Sequence, residues 1–185
     1  MKKLEKSLKN FLKKENRLVD IFLFGSAIKK KEIPSDIDII ALFRDKDYEK
    51  IEEVLYKINK LGEKTDMELH IEPIVVDSLH KEAVYSSLLH EGFSIKNMEF
   101  LNKMLGFKSY MLTTYSLKDK KKSDKVRFSY ALYGRKKGEG FLKEVDGKEI
   151  GKGSVLIPTD RQELSKEFFK LWNVKYSEYR VAIFE

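Results

Sequence analysis

Hydrophobic positions change period several times along the chain, and each change predicts an element. Leu4, Leu8, Phe11 and Leu12 recur at helical spacing, which predicts a first helix over residues 2–14. Leu18, Ile21, Leu23 and Phe24 form an apolar run of the kind found in a strand buried on both faces. Gly25 and Ser26 end it, and a second apolar run, Ile37 and Ile39 to Phe43, predicts the next strand. Ile51, Val54, Leu55, Ile58 and Leu61 return to helical spacing over about 47–60, with Gly62 as the expected stop. Over 66–76 the period falls to two, with Met67, Leu69 and Ile71 alternating with Glu68, His70 and Glu72. Pro73 places this third strand at a sheet edge or where pairing ends. A helix over 77–91 follows, with Asp77 or Ser78 as cap, Val84, Leu88 and Leu89 as core face and Gly92 as terminator.

Residues 97–106 read as a short helix closed by Gly106 and joining two modules. Beyond it the pattern predicts strands over Leu112–Leu117, Phe141–Val145 and Ser154–Pro158; over Lys125–Tyr133 Val126, Phe128, Tyr130 and Leu132 alternate like a strand, but the Ser123-Asp124 cap and Ala131-Leu132 favour a helix. Asp146-Gly147 is the expected hairpin turn between the last two. A helix capped by Thr159 or Asp160 then runs through Trp172 on a face of Leu164, Phe168 and Leu171, and Tyr179–Phe184 is a closing strand. The expected class is α+β throughout, with one domain over 1–106 and a second, small α+β domain over 107–185.

Charge separates the two halves. The chain carries +7 in all; residues 1–106 hold 19 basic and 19 acidic side chains, and residues 107–185 hold 18 basic and 11 acidic. The whole excess therefore lies in the second half, as an anionic partner or a lysine-rich solvated surface would each produce. Within that half, glycines alternate with basic residues from Gly134 to Gly140, after the rings of Phe128, Tyr130 and Tyr133. The loop suits phosphate contact or an ordinary surface turn, and the rings suit a core or a stacking platform for single-stranded nucleic acid. There are no cysteines, which excludes disulfides and cysteine-type zinc sites and leads us to expect a cytoplasmic protein. No apolar run approaches the roughly 18 residues of a membrane span, so no membrane partner is expected.

The candidate chemistry lies between the first two strands. Asp36 and Asp38 flank Ile37, so a strand directs both carboxylates to one face, about 7 Å apart along the backbone. Two like charges so placed call for a cation, and a hard divalent ion such as Mg2+ takes oxygen ligands. Lys29, Lys30 and Lys31 in the intervening segment are either phosphate contacts or solvated loop residues.

Gly25-Ser26, nine residues, then Asp36-Ile-Asp38 resembles the signature of the polymerase-beta-type nucleotidyltransferase superfamily, including its minimal members. Glu72-Pro-Ile-Val-Val-Asp-Ser-Leu79 and His90-Glu-Gly-Phe-Ser-Ile95 resemble later segments of the same group, so the resemblance covers about residues 1–97. It implies a mixed sheet with flanking helices and transfer of a nucleoside monophosphate from an NTP to a hydroxyl of RNA or a protein. It further implies two Mg2+ ions held by Asp36, Asp38 and a third acid, with Gly25 and Ser26 on the nucleotide phosphates. Glu72 is the preferred third acid and Glu68 the second candidate. Family members often have Asp there, and Pro73 is an unusual neighbour. The alternative expectation is a protein of the same fold that senses nucleotide, binds RNA or acts as an antitoxin-like partner without turnover.

Overall fold

The computed structural model describes residues 1–24, 36–135 and 139–184. The chain divides into two compact units, Met1–Leu105 and Gly106–Glu185. The first unit runs α1 (Lys2–Leu12), β1 (Leu18–Phe24), β2 (Asp36–Phe43), α2 (Tyr48–Glu63), β3 (Glu68–Val75), α3 (Tyr85–Glu91), β4 (Phe93–Ser94), β5 (Glu99–Phe100) and α4 (Leu101–Met104). Its sheet has the order β3-β2-β1-β4-β5. β2 is antiparallel to β1 and parallel to β3, with α2 as the crossover that parallel strands need. Pro73 does lie in an edge strand.

Helices cover the sheet unequally. On one face Leu4 and Leu8 of α1 and Ile51, Val54 and Ile58 of α2 pack on Ile21, Leu23, Ile37, Ile39 and Ala41. On the other, Leu88 of α3 covers Phe22, Ile40, Leu42 and Ile74. β2 is therefore buried from Ile39 to Phe43, whereas Asp36 and Asp38 are exposed at its open end. A slip of one residue would turn both aspartates into the layer beneath α1 and α2, so the hydrophobic pattern fixes the register.

Several expected boundaries move for physical reasons. Gly62 does not stop α2; it lies inside the last turn, where a Cβ would sit 2.6 Å from Leu69 Cγ and 2.8 Å from the Met67 carbonyl oxygen. It is a packing glycine that lets β3 start close against the helix. The expected helix over 77–91 is a 3-10 turn at Leu79–Lys81 followed by the short α3. Ser78 caps neither, because its hydroxyl donates to the Val75 carbonyl at 3.0 Å and closes the turn off β3. Residues 97–106 are helical only over Leu101–Met104, since Met98 has φ of 58°, outside helical space.

The second unit contains β6 (Phe107–Ser116), α5 (Lys122–Tyr133), α6 (Phe141–Glu144), β7 (Lys148–Gly151), β8 (Ser154–Pro158), α7 (Gln162–Leu171) and β9 (Lys175–Phe184). The sheet is antiparallel in the order β7-β8-β6-β9. Phe128 and Leu132 of α5, Leu142 of α6 and Phe169 of α7 close the core over Val155 and Ile157. Phe141–Val145 is not a strand. Asp146 at φ 53° and the Gly147 amide, bonded to the Leu142 carbonyl at 2.7 Å, terminate α6 there. The hairpin is β7–β8, turning at Lys152-Gly153 with Gly153 at φ 80°. α7 is rotated from its expected face. Ser165 and Phe169 are buried with Phe168 and Trp172 packed alongside, whereas Leu164 and Leu171 are exposed. The aromatic rings bury more apolar area than the two leucines and decide which stripe faces inward.

Candidate functional site

Phe24, the last residue of β1, pairs with Asp38, so the chain leaves β1 beside the aspartate pair. On the other side the parallel register sets Asp36 beside Glu68, Asp38 beside His70 and Ile40 beside Glu72. All five polar side chains belong to the row that alternates away from α1 and α2. With strands about 4.8 Å apart and a rise of about 3.3 Å, Glu68 Cα lies roughly 5 Å from that of Asp36 and 8 Å from that of Asp38. Glu72 Cα lies roughly 8 Å from that of Asp38 and 14 Å from that of Asp36 by the same geometry. The two candidate third acids thus stand at opposite ends of the pair. Asp38, His70 and Glu72 line one open groove with Phe24 and Val84, and Glu68 is not part of its lining.

These are oxygen donors with one imidazole, exposed and on one face, a set chemically suited to a hard divalent cation. Among the described residues, no three His, Asp or Glu side chains are already gathered tightly enough to form a metal cluster. Gly25, Ser26 and Lys29 to Lys31 lie outside the described residues.

Residues 6–91 match the family described as polymerase beta, nucleotidyltransferase. The match is to a nucleotidyltransferase domain and covers less than half of the chain. Two solved structures are similar to the chain. One is a tri-AMPylated Shewanella oneidensis HEPN toxin in complex with an MNT antitoxin, at 20% identity over 55% of this chain and 81% of that one, with a TM-score of 0.34. The other is the toxin–antitoxin pair MntA–HepT, at 20% identity over 57% of this chain and 84% of that one, with a TM-score of 0.34. No curated protein matches the chain.

Two residues of the first unit gain importance from the structure. His70, one of the alternating polar positions of β3, stands directly beside Asp38 in the groove. Its position in the alternating row with Glu68 and Glu72 was the available signal. Asp20 is hidden in the apolar run of β1 and is almost wholly buried. Its carboxylate accepts from Ser94 Oγ at 2.6 Å, from the Lys96 amide at 3.0 Å and from the Ile21 amide at 2.7 Å. Burial pushes its pKa up, against the lowering effect of these bonds. It ties the β4 turn to β1, the strand that ends at the aspartate pair.

In the second unit the three rings separate. Phe128 is core, Tyr133 shares a hydroxyl hydrogen bond of 2.8 Å with Tyr115, and Tyr130 is exposed with the Arg135 guanidinium 5.3 Å from its ring centre. Burial, with the bond to Tyr115, pushes the Tyr133 phenol well above its ordinary range. Of the glycine-rich loop, residues 136–138 lie outside the described residues, but its ends meet. A Cβ on Gly140 would collide with the Gly134 nitrogen, so only glycine fits.

Proposed function

We propose that the protein transfers a nucleoside monophosphate from an NTP to a hydroxyl acceptor, RNA or a protein, with Asp36 and Asp38 as ligands of divalent metal and Glu72 as the third acid. The observation that carries this reading is the groove shared by Asp38 and Glu72 at the uncovered end of a nucleotidyltransferase sheet. Metal held there would supply charge neutralisation for the attacking and leaving oxygens of a phosphoryl displacement. The protein's own part is positional. β2 holds two carboxylates at fixed spacing on one face, and β3 brings a further acid able to orient or deprotonate the acceptor hydroxyl. His70, beside Asp38, is placed to hydrogen-bond the same carboxylate or a phosphate oxygen. Gly25 and Ser26 are assigned to the nucleotide phosphates by the family motif.

The register favours one second reading, nucleotide binding without turnover, because Glu72 stands beside Ile40 and not beside either aspartate. Labelled NTP, divalent cation and RNA or protein acceptors separate the two. Transfer that disappears in Asp36→Asn and Asp38→Asn, and falls about 100-fold in Glu72→Gln, supports the proposal. Loss in Glu68→Gln with retention in Glu72→Gln reassigns the third acid. NTP binding with no transfer to any acceptor overturns the enzyme reading.

A further inference from the structure

The rotation of α7 and the exposed face of α5 create a surface in the second unit that the transfer chemistry does not use. We infer that it binds single-stranded nucleic acid, with Lys120 and Arg127 on the phosphodiester backbone and Trp172, Leu171 and Tyr130 receiving bases. Between the two helices lies a half-enclosed pocket of about 220 Å3, with Lys120, Arg127 and Asp124 among its lining residues beside Phe128, Trp172 and Leu171. It is smaller than the about 300–1,000 Å3 typical of sites for drug-sized ligands, so it takes one planar ring rather than an extended cofactor. The Trp172 ring meets the buried Phe128 ring edge-on at 5.8 Å, which holds the indole in place without filling the pocket. Leu171 beside it is 83% exposed.

The charge around this pocket is concentrated. Residues 118–127 carry six basic and two acidic side chains, and one of the acids, Asp119, is paired with Lys175 at 3.1 Å. Tyr130 lies three positions beyond Arg127 on α5, so the two are neighbours on the helix surface. With Arg135 over the Tyr130 ring, the exposed aromatic lies between the cations Arg127 and Arg135 along the chain. Cationic groups that follow a backbone, interleaved with rings that stack bases, are the means by which single strands are held without regard to sequence. A duplex hides its base faces and gains only the charge component.

Fluorescence anisotropy of labelled 12-mers of RNA and of DNA, with the intact protein in EDTA and without NTP, tests this independently of the aspartate site. Binding of either strand should weaken with salt, with a log–log slope of about −0.7 per phosphate contact. Lys120→Glu/Arg127→Glu should reduce affinity tenfold or more and flatten the slope by about 1.4. Tyr130→Ala, at an exposed position, should reduce affinity about tenfold and leave the slope unchanged. Lys64→Glu in the first unit, also exposed, is the control and should change nothing. The inference is overturned if affinity is insensitive to salt or if the double charge reversal leaves it within twofold. It is equally overturned if Tyr130→Ala is silent while a duplex or an acidic peptide of equal charge binds as well as the single strand.

Discussion

Replacing Ser94 by Ala removes one hydroxyl, and the structure gives that hydroxyl three jobs. Ser94 is fully buried; its Oγ donates to Asp20 Oδ2 and accepts from the Asn97 amide and from Asn97 Nδ2, each at 3.0 Å. The substitution leaves a buried carboxylate oxygen without its side-chain donor and two Asn97 donors without their acceptor. A hydrogen bond to a charged group contributes about 1.5–3 kcal/mol, and leaving such a group unsatisfied costs at least as much as the bond contributed. The expected loss is therefore about 2–3 kcal/mol, against about 0.5 kcal/mol for a serine on an open surface. Asp20→Asn gives no relief by removing the charge. Its Nδ2 would face Ser94 Oγ, whose two lone pairs already serve Asn97, and the Ser94 proton would lose its acceptor.

Urea unfolding followed by far-UV circular dichroism measures the loss. The only tryptophan, Trp172, lies in the second unit, so its fluorescence serves as an internal reference for that unit. A Ser94→Ala protein within 0.5 kcal/mol of the parent, or one altered only in the Trp172 signal, would refute the reasoning. The pH dependence supplies a second check. Asp20 has a folded pKa above its ordinary 3.8, so the folded state binds that proton more tightly than the unfolded chain. Its contribution is fully present below about pH 3.8 and is lost as pH rises through the raised value. Asp47, Glu53 and Glu99, held low chiefly by Lys50, by Lys57 and by the Phe100 amide, slope the opposite way in the acid range. The parent-minus-Asp20→Asn difference cancels them and should decline as pH rises through this window.

Three further outcomes follow from packing. Gly62→Ala should destabilise the first unit by about 1–3 kcal/mol in urea melts, because its Cβ meets Leu69 Cγ at 2.6 Å, whereas Gly151→Ala, with nothing within 4 Å, should be neutral. Phe169→Ala should cost about 3–5 kcal/mol by Trp172 fluorescence, since the ring is fully buried against Phe128 and Tyr176. Tyr133→Phe should cost about 0.5–1.5 kcal/mol and raise the spectrophotometric pKa of Tyr115, because the bond from Tyr133 lowers it against the effect of burial; an unchanged melt would show that the shared hydrogen bond contributes nothing.

Elements with one unambiguous pattern were legible in the chain. α1 and α2 follow from a single apolar stripe at helical spacing, and β1 and β2 from short apolar runs that serve both faces of a sheet. Failures occurred where two readings of a stripe compete. In α7, Leu164, Phe168 and Leu171 form one helical face and Ser165, Phe168, Phe169 and Trp172 another. The choice depends on which rings the core of Phe128 and Val155 can accept, which is tertiary information. At Phe141–Val145 the apolar content fits a strand, but Asp146 in the left-handed region ends a helical turn and moves the hairpin six residues on.

The same division runs through the candidate site. That Asp36 and Asp38 share a face follows from a period of two and needs no partner strand. The face of Glu68, His70 and Glu72 is legible for the same reason. Which of the three stands beside which aspartate is not, because in a parallel pair the row is set by the crossover. Here α2 runs to Glu63, one residue past its glycine, and the bare Cα of Gly62 lets Leu69 pack within contact distance. That contact places Glu68 beside Asp36 and carries Glu72 two residues beyond Asp38. A two-residue shift in the crossover would preserve every buried face and exchange the acid for the histidine beside the aspartates. Gly62, distant from the chemistry in sequence, is thus among the residues that decide which acid the site can use.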